Sequence, residues 1–465
     1  MIRFGTSGWR AIMGEEFTFS NVRRVVQAIA NYLRQQYPEK ELSLVIGYDT
    51  RFLSERFAQE AAALLSRNRI HVFLADRDCP SQALAYRIIC GQHAGGINFT
   101  ASFNPPEFNG LKFNVASGAP ALPEVTDQIE REVEKIRPEI VAPHYYPDRS
   151  YIHSVDLQND YLEFLQNKID FEAIRKSEIR IGVDLLFGTS REYLDEILEE
   201  NGIPIEVMHG YIDPYFGGIS PSCTETNLAE LKKMVREKDC ALGLATDADG
   251  DRFGVVNEKG EVVIPNYILA LILEYLLAIK GWRGGVARSV TTTHLIDRIA
   301  RHYDVPLYRT PVGFKYMADL FLQNKIIFGG EESACLAVRD HLPEKDGIFA
   351  GLLVAEMVAV CGLSLSQLLQ QLFKKYGLMV GVQQNIKLTP DTARKLETLI
   401  KNPPGRLGKR VVQSVETMDG LKLDFDDDRW LILRFSGTEP LIRCYAEAGD
   451  AKEARALLRA GLELL

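Results

Sequence analysis

Short β-branched apolar runs alternate with amphipathic stretches along most of the chain. Three segments follow one plan: an apolar run, a loop rich in Gly, Thr, Ser or Asp, a stretch of helical period, and a second apolar run. They begin at Leu44 (LVIGYDTRFLSERFAQEAAALLSRNRIHVFLAD), at Ile179 (IRIGVDLLFGTSREYLDEILEENGIPIEVMHG) and at Gly285 (GVARSVTTTHLIDRIARHYDVPLYRTP). Strand, loop, helix and strand at this spacing predict βαβ units, which build mainly parallel sheets covered by helices. Three copies predict three related α/β domains with mixed, mainly parallel sheets. The C-terminal part breaks the plan. It has a helical stretch over Asp391–Lys401, a Pro403–Gly405 turn, two strand-like runs and a closing helical stretch from Ala451, which predicts a small α+β domain. The expected limits are 1–147, 148–254, 255–376 and 377–465, with the proline-rich Arg137–Arg149 joining the first two. The long apolar stretches Tyr267–Ile279 and Gly347–Leu363 are interrupted by Glu274 and Glu356. Both are short for a bilayer and read as buried helices.

Length fits this division, because 465 residues exceed one ordinary core. A 46% hydrophobic and 25% charged composition is that of a soluble globular protein. The formal net charge of −9 argues against nucleic acid as a partner, while a few local arginines can still hold a phosphate. Seven scattered cysteines without a C-x-x-C pair exclude a disulfide framework or zinc site and point to a reducing compartment, the cytoplasm. The start MIRFGTSGWR is not a signal peptide, and no membrane partner is expected. There is no P-loop, no H-E-x-x-H and no G-x-S-x-G.

Four polar loops follow apolar runs, where parallel sheets place ligands. In Thr100-Ala101-Ser102-Phe103-Asn104-Pro105-Pro106, the Asn-Pro-Pro turn presents Ser102 on a bend, where its hydroxyl can carry a phosphate. Lys112 follows and can exchange a proton or steady that phosphate; the alternatives are a solvated serine and a surface lysine. In Thr246-Asp247-Ala248-Asp249-Gly250-Asp251-Arg252, three carboxylates at alternate positions suit a hard cation, Mg²⁺ or Ca²⁺; the alternatives are a solvated acidic turn and a Ca²⁺-binding interaction protein. Arg252 can hold an anion presented to it. An EF-hand counted from Asp247 reaches Glu258 at its twelfth position, but Arg252 occupies the sixth, where glycine is needed, and the flanks are strand-like. Gly329-Gly330-Glu331-Glu332-Ser333 offers acceptors and a hydroxyl to a sugar. Lys345-Asp346-Gly347 then opens an apolar helix whose N-terminus favours an anion. Arg434-Phe435-Ser436-Gly437-Thr438-Glu439-Pro440 combines Arg, Ser, Thr and Gly as an anion nest, or is a plain hairpin loop.

In this order, and with Gly5-Thr6-Ser7-Gly8-Trp9-Arg10, Gly47-Tyr48-Asp49-Thr50-Arg51 and Thr310–Lys315, these loops resemble the α-D-phosphohexomutase family of phosphoglucomutases and phosphomannomutases over essentially the whole chain. The resemblance implies four domains around a central cleft and a soluble, monomeric or homodimeric enzyme acting on a small hexose phosphate. It implies phosphoserine at Ser102, and Mg²⁺ bound by Ser102, Asp247, Asp249 and Asp251. It further implies proton transfer by Lys112 and charge from Arg10 and Arg252. Sugar and phosphate contacts would come from Gly313, Glu331, Ser333, Lys345, Arg434, Ser436, Gly437 and Thr438. Phosphate would move between O1 and O6 through a hexose 1,6-bisphosphate, with glucose 1,6-bisphosphate as activator. Glu332 and the run Arg339–Gly347 resemble glucose-type members; phosphomannomutase or phosphoglucosamine mutase activity, or a non-catalytic sugar-phosphate binder, are the alternatives. Phe103 stands where the family's T-A-S-H-N-P pattern has His.

Overall fold

The computed structural model describes residues 2–137, 146–437 and 439–465. Most of the proline-rich joining segment and Thr438 therefore lie outside the described residues.

Three mixed sheets share one layout. In the first, Ser43–Tyr48 pairs in parallel with His71–Ala75 and with Gly95–Phe99, and Gly95–Phe99 then turns back into antiparallel Phe108–Val115. In the second, Ile181–Asp184 lies parallel to Ile205–Met208 and Leu242–Thr246, and Leu242–Thr246 turns back into Phe253–Asn257. In the third, Gly285–Ser289 lies parallel to Leu307–Thr310 and Ile326–Glu331, and Ile326–Glu331 turns back into Cys335–Val338. The Ser102, Asp247 and Glu332–Ser333 loops thus occupy the same structural position in three units: the turn from the last parallel strand into its antiparallel neighbour. The C-terminal sheet is antiparallel throughout, and its Arg434 region leads into the turn between Trp430–Phe435 and Leu441–Ala448.

Strand pairing overrides two expected limits. Ile152–Val155 adds to the first sheet beside His71–Ala75, so that sheet continues past residue 147. Phe253–Asn257 pairs on both sides, with Leu242–Thr246 and with Val262–Val263, so the second sheet runs past 254.

The two apolar stretches form the helices Pro265–Ala278 and Gly347–Cys361, both largely buried. Gly347–Cys361 has no polar face, so it can fold only inside the protein. Its one charge, Glu356, is matched by Tyr275 Oη and Lys280 Nζ, each 2.6 Å away, and by the Asp170 N–H at 2.7 Å. Asp346 caps its start by accepting from Phe349 N at 2.8 Å. Among the described residues no single helix is long and apolar enough to cross a membrane.

Candidate functional site

The acidic loop is the centre of the site. Asp247, Asp249 and Asp251 are fully buried, and one oxygen from each lies within 4.8 Å of the others. Gly250 makes this turn possible: its φ is +71°, and a Cβ there would lie 2.8 Å from Ser190 Oγ. The loop is seated on the start of the helix Gly347–Cys361, with Gly347 N donating to Gly250 O at 3.0 Å. Two lysines meet the carboxylates. Lys112 Nζ donates to Asp249 Oδ2, to Asp251 Oδ2 at 2.5 Å and to Ser81 Oγ at 3.3 Å. Lys345 Nζ lies 2.8 Å from Asp251 Oδ2. Lys112 is thus a buried residue of the strand Phe108–Val115 rather than a surface charge.

These contacts leave Asp249 Oδ1 and Asp251 Oδ1 buried without a hydrogen-bond partner among the described residues. Burial, with repulsion from Asp251 and Asp249, pushes the Asp247 carboxyl up to about 8. Burial also works against the charged form of Asp251, but Lys112, Lys345 and Arg252 hold it well below the usual carboxylate range. Three converging carboxylates with two orphaned oxygens fit a hard divalent cation such as Mg²⁺.

Ser102 faces this cluster across two domains. Its Oγ donates to Asp247 Oδ2 at 2.6 Å, and its backbone has a left-handed φ of 51°. Such a conformation needs support from its surroundings. Ser102 N donates to Thr100 Oγ1 at 2.9 Å. The rest comes from Arg51, whose guanidinium donates to the carbonyls of Ser102, Asn104 (2.6 Å), Pro105 (2.8 Å) and Phe108 (3.2 Å). Asp49 fixes that guanidinium at 3.1 Å and itself accepts from Ser54 Oγ at 2.7 Å. Arg51 sits in the Gly47–Arg51 run; its grip on a loop fifty positions away was not foreseen from the sequence.

Arg10 donates to Asn104 Oδ1 at 2.8 Å. Burial, reinforced by Arg252, lowers its guanidinium to about 10. Arg252 N donates to Asp247 Oδ1 at 3.0 Å, and its guanidinium lies over the Phe103 ring.

The sugar- and phosphate-binding candidates gather from the other two units. Glu331 is not on a loop: it ends the strand Ile326–Glu331, paired with Cys335. The glycines before it serve packing, since a Cβ on Gly330 would lie 2.7 Å from Leu269 Cδ2. Glu331 Oε1 accepts from Gly313 N at 2.7 Å. Ser333 is on the following turn, its Oγ 3.4 Å from Cys335 Sγ. Glu332 turns to its own domain, accepting from Ser289 Oγ at 3.2 Å and Thr292 Oγ1 at 3.4 Å. Arg434 also lies within a strand, opposite Arg443. Its Nε and Nη2 both lie 3.0 Å from Asp419 Oδ2, which accepts from Val312 N at 2.9 Å as well. Asp419 therefore ties Arg434 to the segment bearing Gly313, another contact that no sequence pattern announces. Ser436 Oγ accepts from Arg443 Nε at 3.2 Å. A Cβ on Gly313 would be 3.1 Å from Thr6 Cγ2, and one on Gly437 would be 3.1 Å from Thr6 Oγ1. Thr6, in the N-terminal motif, thus brings the third and fourth units against the first.

Burial, with Glu332 adding, pushes the Glu331 carboxyl from its ordinary 4.5 up to about 7. The folded state therefore holds a proton that the unfolded state has released between these values, and stability falls as pH rises through that window. Glu331→Gln cannot titrate. Urea melts should show wild type losing stability relative to E331Q from about pH 5 to about pH 8, by on the order of 3 kcal/mol. Parallel profiles would mean that Glu331 does not titrate in this range.

Comparison with known proteins agrees with this arrangement. Four domain-family models match in order, described as phosphoglucomutase/phosphomannomutase alpha/beta/alpha domain I over residues 1–139, domain II over 159–260, domain III over 264–376 and the C-terminal domain over 385–462. A phosphoglucomutase/phosphomannomutase of Thermococcus kodakarensis is 29% identical, with 99% of this chain and 98% of that protein covered. A probable phosphoglucosamine mutase of Methanopyrus kandleri is 30% identical, with 98% and 95% covered. The crystal structure of a putative phosphomannomutase from Thermus thermophilus superposes with a TM-score of 0.85 at 30% identity, covering 100% of this chain and 98% of that one.

Proposed function

We propose, for a chain that belongs to the phosphoglucomutase/phosphomannomutase family and is an isomerase of the phosphohexomutase type, that it interconverts glucose 1-phosphate and glucose 6-phosphate through a phosphoserine at Ser102. The observation that carries this reading is the 2.6 Å contact between Ser102 Oγ and Asp247, inside an acidic cluster with two carboxylate oxygens that accept no hydrogen bond from the described residues. A phosphate carried on Ser102 would lie beside a site suited to a cation.

Asp247, Asp249 and Asp251 would hold Mg²⁺, which when bound offsets charge on the transferring phosphoryl group. The chain's own residues do the rest. In the first half-reaction the Ser102 O–P bond breaks and a bond forms from phosphorus to the free hydroxyl oxygen of the hexose phosphate. The proton of that hydroxyl ends on Ser102. Lys112, in contact with Asp249 and Asp251, donates to the departing serine oxygen and recovers a proton from the attacking hydroxyl. The product, glucose 1,6-bisphosphate, turns over and returns its other phosphate to Ser102, which balances the cycle. Arg10 and Arg252 stabilise charge on the moving group. Arg434, Ser436, Gly437 and Thr438 anchor the phosphate that does not react, with Lys345 near the reacting end. Glu331, Ser333 and the Gly313 segment take sugar hydroxyls. All these groups come from one chain, so the reading requires no second subunit.

The preference for glucose rests on Glu332 and the run Arg339–Gly347. It is tested by supplying glucose 1-phosphate, mannose 1-phosphate and glucosamine 1-phosphate together, with Mg²⁺ and a trace of glucose 1,6-bisphosphate, and following products by phosphorus NMR. Glucose 6-phosphate should appear fastest. Faster mannose or glucosamine 6-phosphate would keep the mechanism and overturn the sugar assignment. No product from any of them would overturn the reaction.

A further inference from the structure

Phe103 is half-buried directly after Ser102, and its ring has two cationic neighbours. The guanidinium carbon of Arg252 lies 4.1 Å from the ring centroid and that of Arg10 lies 5.4 Å from it. The two arginines are held very differently. Arg10 has a hydrogen bond to Asn104 Oδ1 at 2.8 Å. Arg252 has its Nε buried with no hydrogen-bond partner among the described residues, and its nearest carboxylate, Asp251 Oδ1, is 3.9 Å away. The Phe103 ring is thus the close contact that orients the Arg252 side chain. Its face attracts both guanidinium groups through the ring quadrupole, while the groups repel each other. An aromatic ring can hold two like charges near one point without consuming the N–H groups that a phosphate needs, which a carboxylate could not do.

We propose that Phe103 is a positioning residue that holds Arg252 and Arg10 together beside Ser102, leaving the Arg252 N–H groups and those of Arg10 not bound to Asn104 for a phosphomonoester dianion. The proposal rests on the phosphoryl-transfer reading above. It also gives the phenylalanine a function of its own at a position where the sequence departs from the pattern it resembles. The ring contacts no substrate in this scheme; it acts through the arginines.

The test compares Phe103→Leu, which keeps apolar bulk and removes the π face, with Phe103→Trp, which keeps the face. Steady-state kinetics with glucose 1-phosphate should show F103L with KM raised about tenfold, the scale of two such contacts, and a smaller change in kcat. F103W should recover most of the affinity. Thermal melts of both should match wild type, because the ring is half-exposed. In an Arg10→Gln, Arg252→Gln background, F103L should have no further effect. Unchanged KM in F103L, an F103W as impaired as F103L, or a full F103L effect in the double-glutamine background would each overturn the proposal. Calorimetric titration of glucose 1-phosphate onto the same proteins separates the two ideas. If wild type binds the ligand without turning it over, the reaction assignment fails, and the binding constants of F103L and F103W still decide whether the ring positions the arginines.

Discussion

Ser102→Ala eliminates turnover, by at least about 10³-fold, and leaves the fold in place. The loss is chemical: without the oxygen there is nothing to carry phosphate between the two positions of the sugar. Stability falls by no more than about 1–3 kcal/mol, because the hydroxyl's hydrogen bond among the described residues is to Asp247 Oδ2 and the other Asp247 oxygen remains paired with Arg252 N. The backbone groups that hold the turn, Ser102 N on Thr100 and Ser102 O on Arg51, are untouched. The left-handed φ of 51° is no easier for serine than for alanine by more than about 1 kcal/mol. The check is a coupled assay for glucose 6-phosphate, together with intact-mass measurement and a thermal melt. A phosphate adduct on wild type that is absent from S102A, with melting within a few degrees, is the expected pattern. Near-normal turnover by S102A would end the phosphoserine reading altogether.

The chemical loops were legible in the sequence because each is contiguous and each follows an apolar run. A βαβ spacing places such loops at strand ends before any contact is known. The sequence did not reveal how the loops are held. Ser81 donates to Asp249 at 2.7 Å across 168 positions, and Asp419 joins Arg434 to Val312. Single polar residues carry no period, so such partners emerge only when the chain has folded. Gly329 and Gly330 misled for a different reason. Glycine weakens strands, and the pair reads as a turn. Here the helix Pro265–Ala278 packs so near that any side chain on Gly330 would meet Leu269, and the strand continues to Glu331. The limit at 254 cuts into a strand: VVNEKGEVV is strand-like as expected, but its first half pairs on both sides and so belongs to the second sheet.

The three-fold equivalence of the functional turns bears on why the site survives such division. Each unit contributes one turn from its last parallel strand, so each turn starts from a rigid, buried strand end. Only the first carries the proposed nucleophile, on a left-handed backbone, and only there, among the described residues, does a buried arginine collect four backbone carbonyls. The second uses a glycine and a helix start instead. The difference in scaffolding follows the difference in chemistry.

That scaffolding gives the second large expected effect. Arg51→Lys lowers kcat by about 10²-fold, the scale expected when a reacting group shifts by about 1 Å. The charge is kept, so Asp49 retains a cationic neighbour, but the geometry is lost. A guanidinium offers five N–H donors in a planar fork, whereas an ammonium is a compact point with three. Arg51 spreads its donors over Ser102, Asn104, Pro105 and Phe108 while also meeting Asp49. Lysine cannot reach all four carbonyls; Pro105 O keeps the Phe108 N–H at 3.1 Å, but the buried Ser102 carbonyl left without a donor costs about 1–3 kcal/mol. The loop relaxes toward ordinary backbone angles, and Ser102 moves off Asp247. R51K should therefore melt several degrees lower, become more sensitive to proteolysis within residues 100–108, and show a lower kcat with a smaller rise in KM. The rise in KM comes through Phe103 and Asn104, which share this loop and hold Arg252 and Arg10, and it stays smaller than the loss in kcat because the proposed phosphate anchor at Arg434 belongs to the fourth unit. A kcat within twofold of wild type would show that the turn at Ser102 keeps its shape without the arginine, and a rise in KM alone would reassign Arg51 to substrate binding.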